Sequence, residues 1–550
     1  MKKDNFIKVS LIIFVFLVAT IFILNFFKQY SKSPKLVIGI IVDQMAYDFV
    51  PRYWNKYSED GFKRLINNGF FFRNANFVHF PTNTGPGHSC IYTGSVPSIH
   101  GICGNDWYDR EWGRLRYCAE DTSVNTVGSF STEGKMSPAS LQVSTITDEL
   151  RISNNFKSKV IGIALKDRGG IFPAGRLGNA AYWYDNTSKR WVTSTYYMQK
   201  LPQWVENFNN KDLPDYYLSE PWITLLPIEQ YTESMLDENK FEATYNGEDK
   251  PVFPHNLPEL KYSDSQLLRY SPFGDDLTKD FAIETIEKEN LGKNEYTDFL
   301  CISFSSTDYV GHMFGPNSIE VEDTYLRVDR NIAEILNYLD IYLGIDNVLI
   351  FLTSDHGVCR VPGYMKTLGF NAGTFFRNTV LDSINAFLDK TYKKNNLAIQ
   401  FVNQQVYFDK NLIINAGLNI DEVRKNTAQY IKQNIQGVSN VFTPEDLKSN
   451  TITDYYISYF RNGFYEKRCG DVIVKFFPYW IEERLVGTEH GSPYNYDTHI
   501  PLVWYGWRIN KGESFEYINM SDVAPTLSML LNIGYPSGCI GKPIEGILNK

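Results

Sequence analysis

Three stretches of this chain run through apolar residues and stop at an aspartate. Leu36-Val-Ile-Gly-Ile-Ile-Val precedes Asp43, Phe299 to Phe304 leads to Asp308, and Val348-Leu-Ile-Phe-Leu leads to Asp355. A fourth run, Val160 to Leu165, passes straight into Lys166-Asp167-Arg168-Gly169-Gly170. A strand with one wet face alternates apolar and polar residues, whereas a continuous apolar run marks a strand covered on both faces, as in parallel sheets. Between these runs lie segments with helix character, at Phe62 to Asn68, Ser144 to Ile152 and Ser521 to Leu531. Asp323 to Leu339 carries apolar residues at 325, 328, 332, 335, 336 and 339, which is helical spacing. Strands alternating with helices predict an α/β fold, a three-layer sandwich around a central, mostly parallel sheet. In open sheets of this kind, sites form beyond the carboxyl ends of the strands. That is where Asp43, Asp308 and Asp355 fall.

The rest of the chain divides around that sheet. Lys2, Lys3 and Lys8 precede an apolar run from Val9 to Phe27, broken only by Ser10, Thr20 and Asn25. A run of this length can span a bilayer, and its cationic start favours export of the residues beyond it. Residues 1–34 are therefore expected to be a signal peptide or an uncleaved single-span anchor plus linker, and the remainder to lie in the periplasm or otherwise outside the cytoplasm. The absence of a small-x-small cleavage site favours the anchor. Residues 35–550 are expected to form one large domain. A Tyr-, Trp-, Pro- and Asn-rich stretch over 182–278 reads as an inserted cap, and 375–447 as a second insert in which 398–407 is a strand. A formal net charge of −9 argues against nucleic-acid binding, since no basic field is present to attract phosphate backbones. None of the seven cysteines forms a CxxC pair. Cys103 and Cys118 flank a short polar excursion and are the expected disulfide pair, if one forms.

Pro81-Thr-Asn-Thr84-Gly-Pro86-Gly-His88-Ser-Cys90 reads as a loop that turns into a helix, with Pro86 at the first helical position and Thr84 near the capping position. In most sequences such a threonine is an ordinary helix cap. A hydroxyl there also faces free N–H groups and the positive end of a helix dipole, which suits a nucleophile acting on a bound anion.

A lone strand-end aspartate is usually a turn former, and a lone histidine is usually structural. Here Asp43, Asp308 with His312, Asp355 with His356, and His490 in the loop Gly487–Pro493 all fall at the expected functional edge. Three carboxylates and three imidazoles form an O/N set that suits zinc, and six ligands suit two metals with open positions. Thr84 is then a metal-activated hydroxyl, and Asn105, Lys166 and Arg168 are donors around a tetrahedral anion. The remaining histidines, at 79, 88, 100, 255 and 499, are read as structural.

These motifs, with the long segments Gly85 to Gly101 and Gly487 to Pro501, resemble the alkaline phosphatase superfamily. Within it, the pattern is most similar to the phosphate-irrepressible, PafA-like bacterial alkaline phosphatases, relatives of the nucleotide pyrophosphatase/phosphodiesterases. The resemblance runs from about residue 35 to 545. It implies one zinc on Asp308, His312 and His490, and a second on Asp43, Asp355 and His356 that also binds Thr84. It also implies attack by Thr84 through a phosphothreonine intermediate on small-molecule phosphate monoesters, by an exported monomeric enzyme. The Lys166/Arg168 pair with Asn105 matches a monoester dianion, which carries more charge than a diester. A phosphodiesterase or nucleotide pyrophosphatase on the same scaffold is the alternative.

Overall fold

Every residue of Leu36–Val42 is buried in the computed structural model, which describes residues 33–449 and 451–548. The alternation of strand side chains then sorts this one strand into two cores. Leu36, Ile38, Ile40 and Val42 enter the core on one face, and Val37 and Ile41 enter the core on the other. Gly39 shares the second face, because a Cβ there would lie 2.3 Å from the Tyr92 hydroxyl and 2.6 Å from Phe351.

In chain order the strands that frame the molecule are β1 (Leu36–Val42), β2 (Phe70–Asn76), β3 (Val160–Ala164), β4 (Ala180–Asp185), β5 (Arg190–Ser194), β6 (Asp298–Phe304) and β7 (Val348–Thr353). A separate lobe holds β8 (Ala398–Val402), β9 (Gln405–Phe408), β10 (Val438–Phe442) and β11 (Val472–Phe476), after which β12 (His499–Gly506) returns to the main sheet. The main sheet is 11-stranded, and its body runs β2-β12-β7-β1-β6-β3-β4-β5. From β7 through β4 the neighbours are parallel. β12 and β2 on one side, and β5 on the other, run antiparallel to their inner neighbours. The parallel expectation therefore holds for the middle of the sheet, where both faces are covered, and gives way toward its flanks.

Six helices matter for the site and its support. They are α1 (Thr84–Thr93), α2 (Asp167–Ala174), α3 (Phe273–Lys288), α4 (Ser306–Phe314), α5 (Ile319–Tyr342) and α6 (Val523–Leu531). Phe281 and Ile286 of α3 and Ile332 and Leu336 of α5 pack into one core. Ile91 and Tyr92 of α1 and Leu527 and Leu530 of α6 pack into the other. These are the outer layers of the expected sandwich.

The inserts are drawn differently from the expectation. The segment 182–278 opens inside the main sheet, since β4 and β5 pair antiparallel through Trp183–Val192 to Asp185–Arg190. Only the part beyond β5 lies over the sheet, as short helices and loops whose Trp222, Tyr231, Tyr245 and Leu257 join the α5-side core. The expected strand over 398–407 is a hairpin, because Asn403 and Gln404 both take positive φ, 50° and 59°, and turn the chain back. The lobe also extends past 447, since β11 pairs with both β9 and β10.

Cys103 and Cys118 form no disulfide, and all seven cysteines are free thiols. The hairpin between them pairs Asp106 with Tyr117, which leaves Cys118 beside Asn105 and carries Cys103 to Cys469. The apolar run Val9–Phe27 lies outside the described residues. Among the described residues no helix is long and apolar enough to cross a membrane.

Candidate active site

The sheet order brings the sequence-distant acids together. β7, β1, β6 and β3 are consecutive parallel neighbours, so the residues that follow their carboxyl ends emerge side by side. Asp43 follows β1, Ser354-Asp355-His356 follow β7, α4 follows β6, and Lys166 with α2 follows β3. Asp308 and His312 sit four apart on α4, hence on one face, with the carboxylate Oδ1 3.3 Å from the imidazole Nε2. The first turn of α4 is held by Asp275 of α3, which accepts the Ser306 N–H at 3.0 Å. His490 arrives on a loop hooked to α4. Thr488 donates its N–H to the His312 carbonyl at 3.0 Å, and Gly487 (φ 70°) would place a Cβ 2.2 Å from the same oxygen.

The three expected imidazole ligands share one arrangement. Nδ1 of His312, His356 and His490 faces the backbone carbonyls of Thr488, Gly357 and Thr82 at 2.8, 3.0 and 2.8 Å. That partner fixes the tautomer and turns Nε2 inward with its lone pair free, as metal-ligating histidines require. Burial lowers the pKa of His356, and burial together with His356 lowers that of His490 well below the imidazole range, so both stay neutral. His312 is raised. Burial opposes its charge, but Asp308 and Glu489 outweigh it.

The carboxylates converge on those nitrogens. The Oδ1 of Asp308 lies 3.5 Å from His490 Nε2. Asp43 Oδ1 and Asp355 Oδ2 are each 3.5 Å from His356 Nε2. Both of these oxygens are buried without a hydrogen bond. A buried carboxylate oxygen without a hydrogen bond is costly; Asp355 Oδ2 has His88 Nδ1 beside it at 3.3 Å, and the two oxygens facing one neutral imidazole fit a cation ligand set. Burial and the neighbouring Asp355 charge push Asp43 well above the carboxylate range, the repulsion a bound cation relieves. The donor atoms of Asp308, His312 and His490 lie within 4.8 Å of one another, as do those of Asp43, Asp308 and His356. The geometry therefore gives Asp308 to both sets. Asp355, expected in the second, reaches it through Oδ2, which also lies 3.3 Å from His88 Nδ1.

Thr84 is the first residue of α1 and makes no capping hydrogen bond; Asn83 occupies the cap position. The helix therefore starts two residues before Pro86. The Thr84 hydroxyl instead lies 3.5 Å from His356 Nε2 and accepts from Arg168 Nη2 at 3.5 Å. Asn105 Oδ1 accepts the Gly85 N–H at 2.9 Å. Arg168 donates through Nη1 to the Tyr117 hydroxyl at 2.9 Å, and that hydroxyl donates to Asp167 at 2.6 Å. The Lys166 ammonium bonds Asp43 Oδ2 at 2.7 Å and Asp308 Oδ2 at 2.5 Å. Burial disfavours its charge, but Asp308 and Asp43 outweigh that and hold it above the ordinary lysine range. Lys166 is thus a partner of the carboxylates as well as the expected anion donor.

His88, read as structural, bonds locally as expected, to the Thr84 carbonyl at 2.9 Å and Ser303 at 3.0 Å, and it also lies 3.3 Å from Asp355. Sequence reasoning missed two supporting residues, Tyr117 and Gln44. Neither stands in a recognisable motif, and only their contacts reveal them. A cavity of about 500 Å³ opens onto Asn105, Arg168, His312 and His490, with Asn403 and Gln404 of the lobe on its far wall.

The sequence model of the type I phosphodiesterase / nucleotide pyrophosphatase family matches residues 37–483. Alkaline phosphatase PafA of Elizabethkingia meningoseptica is 43% identical over 520 residues, 94% of this chain and 95% of its own length. A crystal structure of wild-type alkaline phosphatase PafA superposes with a TM-score of 0.92 at 42% identity, covering 94% of this chain and 99% of that one. Alkaline phosphatase PhoV of Synechococcus elongatus is 43% identical over 523 residues, 95% of this chain and 94% of its own. A Myroides odoratus protein named calcium-transporting ATPase is 43% identical over 524 residues, 94% of this chain and 95% of its own.

Proposed function

The chain belongs to the type I phosphodiesterase / nucleotide pyrophosphatase family, and from its likeness to the PafA and PhoV alkaline phosphatases we propose that it is a phosphomonoesterase using Thr84 as nucleophile. The observation that carries this reading is the setting of one hydroxyl. Thr84 Oγ1 lies 3.5 Å from both His356 Nε2 and Arg168 Nη2, between a metal-type imidazole and an anion-binding guanidinium.

Two zinc ions would be held by Asp308, His312 and His490 and by Asp43, Asp355 and His356. They would supply positive charge for the attacking and leaving oxygens and acidify the Thr84 hydroxyl. Thr84 Oγ forms a bond to phosphorus as the ester P–O bond breaks and the alcohol departs. Water then cleaves the phosphothreonine, releasing inorganic phosphate and restoring the hydroxyl. Arg168, held by Tyr117, aims charge at the non-bridging oxygens. Asn105 spends its carbonyl on Gly85 and keeps its NH₂ donors for the ester. Lys166 adds a second cation, which suits a dianionic monoester better than a diester. Lys2, Lys3, Lys8 and the run Val9–Phe27 support action outside the cytoplasm, with the N-terminal segment either cleaved or kept as an anchor.

The test is the ratio of kcat/KM for an aryl phosphate monoester to that for the corresponding bis-aryl diester. We expect the monoester to be preferred. A diester preference would move the chain to the phosphodiesterase reading on the same residues. ATP belongs in the panel, since its terminal phosphoryl group is also a dianion and a relative carries an ATPase name.

A further inference from the structure

Gln44 stands directly after Asp43, is 1% exposed, and has φ 66°, a left-handed conformation unusual for a residue with a side chain. From that position it touches both candidate cation sets. Its backbone N–H donates to Asp355 Oδ1 at 3.2 Å. Its side-chain Nε2 donates to Asp308 Oδ1 at 2.7 Å. That Asp308 oxygen is the one nearest His312 Nε2 and His490 Nε2, at 3.3 and 3.5 Å. A carboxylate oxygen has two lone pairs, so it can accept from Gln44 and still serve a cation.

A second observation lies across the site, on α4. A Cβ at Gly311 would fall 1.9 Å from Gln44 Oε1. Three residues beyond Asp308, the helix surface is bare where the amide rests, and any side chain there would push the amide off the carboxylate.

We infer that Gln44 is a positioning residue that holds one carboxylate of each candidate cation set in place, Asp308 through its side chain and Asp355 through its backbone. This rests on the two-cation reading above. The two contacts differ in kind, so they can be separated. Gln44→Met keeps length, burial and the backbone N–H but removes the side-chain donor. It should loosen chiefly the set that contains Asp308, His312 and His490, whose nitrogens face the Asp308 oxygen that Gln44 holds, and affect the second set, which Asp308 also borders, much less, because groups that orient metal ligands typically contribute about 10–100-fold in affinity.

The experiment measures zinc release from the purified full chain to a chromogenic chelator, alongside melting of the zinc-free protein. Gln44→Met should weaken one of two zinc affinities about tenfold and leave the other within about twofold. In a His312→Ala background, which keeps only the second set intact, Gln44→Met should change the remaining affinity by no more than about twofold. Gly311→Ala, which displaces the amide while leaving residue 44 a glutamine, should reproduce the one-sided loss. Unchanged affinities, or equal loss at both sets, overturn the proposal. So does failure of both variants to fold, which would assign Gln44 to the scaffold. Wild-type protein that binds no zinc overturns the two-cation reading instead, so the two failures are distinguishable.

Discussion

Thr84 shows how little a residue type says and how much its neighbours do. Its place at the start of α1 is that of a common helix cap, yet the hydroxyl faces His356 and Arg168 and caps nothing. Thr84→Ala should abolish the phosphoenzyme trapped by acid quench with labelled substrate, and turnover should fall by at least about 10³-fold, as when an activated nucleophile is removed. Lys166→Ala should lower kcat/KM for monoesters more than for diesters, compared on the same leaving group. Tyr117→Phe removes the acceptor that steadies Arg168 and the donor to Asp167. A loss of about 1 kcal/mol in transition-state stabilisation, roughly fivefold in kcat/KM, is expected with zinc affinity unchanged. The residues proposed to meet the reacting atoms are readable in the sequence because each sits at a strand end or inside a distinctive motif. Tyr117 and Gln44 are not, because each acts through residues far away in the chain. No local pattern records that Gln44 meets Asp308 and Asp355.

At the scale of elements, the buried parallel strands are the most legible part, since β1, β6 and β7 are buried along their whole length and run through mostly apolar residues. Regions without that demand are harder to read. The β8–β9 turn uses Asn403 and Gln404 in the left-handed region with no glycine to announce it, so the hairpin resembles one strand. The tyrosines and tryptophans of β4 and β5 look like cap composition, whereas Tyr182, Tyr184 and Trp191 fill the core. The true overlay is fastened to α5 at several points, and Asp323 gathers the most hydrogen bonds at one of them. Asp323 accepts from Trp222 Nε1, the Leu225 N–H, the Tyr231 hydroxyl and Arg327 Nε, at 2.7, 2.6, 2.5 and 2.7 Å. Asp323→Ala strands those donors in a buried site. A destabilisation of about 3 kcal/mol is expected, read by chemical denaturation, with the overlay becoming protease-sensitive first.

For the whole molecule, stability should follow pH and metal. His255 is buried between Glu248 at 2.7 Å and Glu320 at 3.2 Å. Burial opposes its charge, but the hydrogen bonds to Glu248 and Glu320 outweigh it, and its pKa is raised to about 9. The folded value lies above the unfolded value of about 6.5. The contribution is therefore fully present below about pH 6.5 and is lost as pH rises through about 9. Melting temperature should fall across that window, and His255→Phe should flatten the fall. If the two-cation reading holds, chelation should also lower the melting temperature, because a ligand held only by the native state adds about 2.7 kcal/mol at a hundred times its dissociation constant. Calorimetry with and without chelator reads this directly.

The candidate cation ligands follow β1, β6 and β7 and lie on a loop at Gly487–Pro493, and they meet only when those strands lie side by side. The centre therefore has an order of assembly. Asp43 is synthesised early and His490 late, and no shorter emerging chain contains the complete set. A polypeptide threaded through a membrane before folding would cross without its cations and acquire them on the far side, so the supply of metal there, and not in the compartment of synthesis, would decide how much of the protein becomes active.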